Sequence, residues 1–289
     1  MMVSATQLSS YLYCPRKLFM SSVLLVEEPP KQELVKGKIW HETYESINNS
    51  EESIVVSIRT KDYQEIFDIY RRKYSKALRD AIIHNKPALK EFGISMLDIF
   101  NDYWPHFEEE AKEHALNLVG FIERNNVFGK ALWKKLTPKI FSEQYFKSEN
   151  LHLSGIIDVL EIHHVDDDEQ YVPIELKTGK FPHKGMWDGH RVQLAAYILL
   201  LEDSGKRVRE AAIKYKGADK RILQMNPFLK DEVLDLIQKT RKLLENFDIP
   251  ELTENKNKCA SCQFKDVCYN RDRVKTLVNQ ARLRPKKLF

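Results

Sequence analysis

The stretch Tyr171-Val172-Pro173-Ile174-Glu175-Leu176-Lys177 constrains the chain more than any other. Its second half alternates apolar and charged residues, the period of a β-strand, in which side chains two apart share a face. Glu175 and Lys177 then lie on one side, while Ile174 and Leu176 face a core. An acid and a lysine placed this way are ordinarily a surface ion pair. A different role has to be argued from the residues before and after the strand.

Before it, the chain opens with a helix signal: Ser4 followed three residues later by Gln7 is a capping box, and Leu8, Tyr11 and Leu12 recur at helical spacing. Proline cannot continue a helix, so this one ends at Cys14-Pro15. A second helix is expected from about Gln32 to Ile47, with His41 on it. Residues 57–133 read as long amphipathic helices, with Ile66, Tyr70, Tyr74 and Leu78, then Ile99, Tyr103 and Phe107, at helical period. This is a packed helical insert rather than a linker. Strands follow at Lys139–Phe146 and Leu151–His163, with Gly155 inside the second. The acidic run Asp166-Asp167-Asp168-Glu169 reads as a solvated turn. After the opening strand come a helix from Asp188 to Glu202, a strand from Val208 to Lys216 and a helix from Pro227 to Phe247. The expected fold is α/β, a mixed sheet flanked by helices, built as one domain over residues 1–289.

Composition excludes several classes. Of 289 residues, 43% are hydrophobic and 30% charged, which is globular, and the net charge of +4 is no polycation. From Arg271 to Phe289 there are seven Lys/Arg against one Asp, so basic charge gathers at that end as a candidate phosphate contact. No apolar run is long enough to cross a membrane and no signal pattern opens the chain, so the expectation is a soluble, cytoplasmic protein without membrane partners.

Asp158 and Glu175 sit on neighbouring strands, and two carboxylates so placed converge on a divalent cation; hard oxygen donors favour Mg²⁺ or Mn²⁺. Such an ion suits phosphodiester hydrolysis, with a nearby lysine orienting water or offsetting charge. Cys259, Cys262 and Cys268 form a second constellation, C-x2-C-x5-C, in a polar, lysine-rich stretch over residues 250–275. Thiols this close in a reducing compartment indicate metal, either zinc or an iron–sulfur cluster, and spacing leaves both open.

Gly155-x-x-Asp158, Glu175-x-Lys177 and Gln193-x-x-x-Tyr197, in that order, resemble the core of the PD-(D/E)XK nuclease superfamily in its RecB-like branch. The resemblance implies a restriction-endonuclease-like core and assigns catalytic positions to Asp158, Glu175, Lys177, Gln193 and Tyr197. Gln193 and Tyr197 are expected to reach substrate or the lysine. Gly37-Lys38-Ile39-Trp40-His41 matches the branch's histidine ligand, giving a metal set of His41, Asp158, Glu175 and the carbonyl of Leu176. Cys14 together with the C-terminal three is similar to the iron–sulfur nucleases: the CRISPR-associated exonucleases of the fourth Cas family, the AddB nuclease domain and the nuclease domain of the eukaryotic flap-processing helicase–nuclease. That implies a [4Fe–4S] cluster on Cys14, Cys259, Cys262 and Cys268, joining the two ends of the domain. It further implies DNA as substrate, single-stranded or frayed at its ends, and a role in trimming CRISPR prespacers beside the integrase complex. Arg16, Lys17 and Arg191 are the candidate phosphate contacts. The insert is larger than that of a compact Cas-family exonuclease, and no G-x-x-x-x-G-K-[ST] helicase motif is present. The alternative at this point is a non-catalytic iron–sulfur or zinc protein that binds DNA or acts as a scaffold on the same fold.

Overall fold

The computed structural model describes residues 1–165 and 168–284. Asp166 and Asp167 of the acidic run and the last five residues of the basic tail lie outside the described residues. In chain order the elements are β1 (Val3–Ser4), α1 (Ala5–Tyr13), α2 (Pro15–Leu18), a π-helical turn (Phe19–Val23), α3 (Gln32–Ser57), α4 (Tyr63–His84), α5 (Lys86–Glu91), α6 (Met96–Asn125) and α7 (Gly129–Lys135). The sheet strands β2 (Lys139–Ser148), β3 (Leu153–Val165) and β4 (Asp168–Lys177) lead to α8 (Asp188–Asp203), β5 (Arg207–Val208), β6 (Ala211–Tyr215) and β7 (Arg221–Leu223). The chain then runs through α9 (Pro227–Glu245), α10 (Lys256–Ala260), α11 (Lys265–Tyr269) and α12 (Arg271–Arg282).

The Ser4 cap forms as its sequence dictates: the hydroxyl accepts from the Gln7 backbone N–H and the Gln7 side chain accepts from the Ser4 N–H, at 3.1 and 2.9 Å. Other elements depart from the sequence reading. The helix carrying His41 continues ten residues past Ile47 to Ser57. The strand expected over 208–216 is two, β5 and β6, and the two-residue β1 and three-residue β7 carry too few residues to show a period.

In the sheet the strands run β1-β3-β4-β6-β7, with β2 paired to β3 and β5 to β4. Strand β4 pairs antiparallel with β3 and parallel with β6. It is therefore central and buried on both faces, which corrects the half-exposed strand that its alternation predicts. Ile174 and Leu176 join a core with Ile39, Trp40, Tyr103 and Phe107, so the helical insert roofs one face of the sheet. The other face packs on α1, α8 and α9 through Leu8, Val192, Tyr197, Ile213 and Val233. A third, smaller core joins Phe19, Met20 and Leu24 to Phe264, Val267, Val274 and Val278.

Strands β2 and β3 share a crease. Ile140 and Val159 belong to the insert face, and Phe146, Ile157 and Leu160 to the α8 face. Inward-facing positions therefore change parity around Glu143 and Asp158, and the paired register skips these two residues. Glu143 takes φ 51°, a left-handed value uncommon outside glycine. Freed from the ladder, the Asp158 carboxylate instead accepts the Leu176 N–H at 2.7 Å.

Candidate active site

The crease, the open end of β4 and helix α3 meet around Asp158. His41 Nδ1 lies 3.4 Å from Asp158 Oδ1 and 3.7 Å from Glu143 Oε1. These three side chains place their donor atoms all within 4.8 Å of one another, and the mixed imidazole–carboxylate set fits a divalent cation such as Mn²⁺. Glu143 is the residue that sequence reasoning missed. In a regular strand its carboxylate need not meet His41, and only its positive φ, which no sequence period reports, marks the departure.

Glu175 lies behind this group, 2% exposed. One carboxylate oxygen pairs with Lys177 Nζ, and the other accepts from the Tyr197 hydroxyl at 3.0 Å. The Gln193 amide donates in turn to the Tyr197 oxygen at 2.8 Å. Gln193 and Tyr197, one helical turn apart on α8, thus form a relay that holds Glu175. Both are buried, and Tyr197 bonds the glutamate that pairs with Lys177. Gly155 makes room for this relay, since a Cβ there would stand 2.9 Å from the Tyr197 ring. His190 was also missed; its Nδ1 pairs with the Tyr215 hydroxyl at 2.8 Å beside the same strand end.

Burial dominates the electrostatics. It raises the Glu175 carboxyl, Asp158 raises it further, and Lys177 and Tyr197 pull it back only to about 7. Burial pushes the His41 imidazolium down, but the carboxylates of Asp158, Glu143 and Glu175 outweigh it and lift the group to about 10. Lys177 is likewise opposed by burial and held charged by Glu175 and Asp158. Burial, then the Lys177 charge, brings His190 down to about 4, so it stays neutral beside that cation. The site is a cluster of three carboxylates with the His41 imidazolium among them and the Lys177 ammonium at its edge.

The four cysteines line one pocket, although Cys14 and Cys259 are 245 residues apart (259 − 14). Arg16 joins the two ends of the chain: its Nε donates to Cys268 Sγ at 3.1 Å, and its terminal nitrogens donate to the carbonyls of Pro250 and Cys268. Four soft sulfur donors around one pocket suit a metal–thiolate centre, zinc or iron–sulfur.

Each of the three expected phosphate contacts has a partner within the chain. Arg16 is spent on the cysteine region, Lys17 lies 3.4 Å from Glu28, and Arg191 forms a two-pronged pair with Glu232 at 2.9 and 2.7 Å. A guanidinium satisfied by a carboxylate or by carbonyls has few donors left for phosphate. A cavity of about 500 Å³ lies under the insert between α6 and the sheet; Leu176 borders it, but His41, Glu143, Asp158, Glu175 and Lys177 do not. No helix among the described residues is long and apolar enough to cross a membrane.

Comparison with known proteins gives the family. The model of the PD-(D/E)XK nuclease superfamily matches residues 2–269. A CRISPR-associated exonuclease Cas4/endonuclease Cas1 fusion of Leptospira interrogans is 26% identical over 48% of this chain and 27% of its own length. The DNA replication ATP-dependent helicase/nuclease JHS1 of Arabidopsis thaliana is 21% identical over 92% of this chain and 20% of its own. The CRISPR-associated exonuclease Cas4 of Francisella tularensis is 24% identical over 43% of this chain and 60% of its own. The chain thus spans about a quarter and a fifth of the first two relatives.

Proposed function

The chain belongs to the PD-(D/E)XK nuclease superfamily, and on that premise we propose that it is a deoxyribonuclease dependent on Mg²⁺ or Mn²⁺ and similar to the Cas4 exonucleases. The observation that carries the reading is the convergence of His41, Glu143 and Asp158 within 4.8 Å, beside the buried Glu175–Lys177 pair. His41, Asp158 and Glu143 would hold the ion, with Glu175 and the Leu176 carbonyl adjoining them. A divalent cation there supplies charge to a phosphodiester oxygen and lowers the pKa of a bound water. Lys177, kept protonated by its carboxylate neighbours, orients the attacking water and offsets negative charge that builds on phosphorus. Tyr197 and Gln193 fix the Glu175 carboxylate so that it does not rotate away from this work.

We assign the four-cysteine pocket a [4Fe–4S] cluster, supported by the four sulfur donors that sequence-distant segments bring together there. Single-stranded or frayed DNA ends are the proposed substrate, in keeping with the Cas4 exonuclease relative. Relatives in which Cas4 is fused to the endonuclease Cas1 support a Cas1-type integrase as partner and prespacer trimming as the role. The test is an anaerobic preparation incubated with Mn²⁺ and end-labelled single- and double-stranded DNA. Wild type is expected to shorten the label; Glu175→Ala should lower the rate by a factor of about 10²–10³, the range for loss of one electrostatic contact in an active site. Equal cutting by both proteins would remove Glu175 from the chemistry.

A further inference from the structure

The crease that assembles the metal ligands also leaves a bare apolar step next to them. Tyr145 and Ile156 are direct cross-strand partners on β2 and β3, and they are 61% and 51% exposed. Tyr145 lies two residues after Glu143, and Ile156 two residues before Asp158, so each is displaced by about 7 Å from a metal ligand on its own strand. Past the crease, Phe146 and Ile157 turn toward α8. Tyr145 and Ile156 therefore face the opposite side, where α3 brings His41 to Asp158 and Glu143. Elsewhere on this face the insert covers the sheet.

We propose that Tyr145 and Ile156 form a nucleobase-stacking subsite that seats the unpaired base neighbouring the cleaved phosphodiester. The inference rests on the nuclease reading and names how that site grips its substrate. About 7 Å along a strand is comparable with one nucleotide of an extended chain, so a phosphate at His41 and Asp158 puts the adjoining base over the Tyr145 ring. An exposed aromatic ring offers any base a flat partner, and Ile156 completes an apolar floor beneath it. Bases inside a duplex are already stacked on both faces, so the subsite selects single-stranded or frayed DNA. Arg16 and Arg191 are held by Cys268 and Glu232, so stacking supplies grip that they do not.

The experiment measures binding by fluorescence anisotropy with Mn²⁺, in a Glu175→Gln background that suppresses cutting, using a labelled thymidine oligonucleotide. Tyr145→Ala is expected to weaken binding about tenfold or more, and Tyr145→Phe, which keeps the ring, by less than about twofold. An abasic position beside the scissile linkage should weaken binding to the Tyr145 protein by a similar factor, yet cost nothing further in Tyr145→Ala. Unchanged binding by Tyr145→Ala, or an abasic penalty that survives in it, overturns the proposal. Because the side chain is exposed, an unaltered melting curve is expected for both variants. If Tyr145→Ala instead abolishes a concentration-dependent dimer and leaves DNA binding intact, the step belongs to a second copy and the proposal fails. If wild type neither binds nor cuts DNA, the nuclease reading itself falls, and the subsite with it.

Discussion

Three carboxylates crowd one imidazole in this site, and the consequence is a specific pH dependence of the ion-free protein. His41 is lifted from an ordinary 6.5 to about 10, so its protonation favours the folded state. That contribution is complete below pH 6.5 and lost as pH climbs toward 10. Glu175, raised from 4.5 to about 7, acts in the same sense at lower pH. In a chelator, thermal stability is expected to fall steadily from pH 6.5 to 10, and His41→Asn to flatten the part above 7. Added Mn²⁺ should reverse the slope, because a metal takes the imidazole neutral and releases its proton. A His41→Asn protein with the original slope would assign the effect elsewhere. Glu175 and Lys177 were legible in the sequence because they obey the period of two. Glu143 was not, because its place in the site depends on breaking that period.

The long helices were legible for a similar reason: apolar residues repeat every three or four positions from Ile66 to Leu78 and from Ile99 to Phe107. How they attach to the sheet was not, because the attachment is polar and distant in sequence. Glu110 on α6 accepts hydrogen bonds from Tyr44 on α3 and Lys214 on β6, and pairs with His106 at 2.8 Å. Burial pushes this carboxyl up, but His106 and Lys214 prevail and hold it at about 2. A depressed carboxyl contributes stability above the usual 4.5 that is lost as pH falls toward 2. The insert should therefore loosen from the sheet in acid before the α8 face does, seen as early hydrogen exchange in α6. Glu110→Ala leaves Lys214 and His106 without their partner and is expected to cost about 3–5 kcal/mol in urea unfolding. A cost under about 1 kcal/mol would mean that apolar contacts alone carry the joint.

Seen as one molecule, the chain is tied at both ends to the same corner. The cysteine trio was legible from spacing, and the pairing with Cys14 only through resemblance, since no local pattern connects residues 245 apart. Closing a loop of that length is worth about 5 kcal/mol in the chain-entropy picture used for cross-links. Cys14→Ser is accordingly expected to bleach the broad visible absorbance of an iron–sulfur protein and to lower stability by a comparable amount. A colourless wild type carrying one zinc per chain would overturn the cluster. The small core beneath this corner has a consequence for biosynthesis. Phe19 and Met20 pack on Phe264 and Val267, made 245 residues later (264 − 19). At about 5–20 residues per second Phe19, Met20 and Cys14 wait roughly 10–50 s for their partners. During that interval a nascent chain presents one unpaired thiol and an apolar turn. The corner can therefore close only after synthesis has passed Cys268.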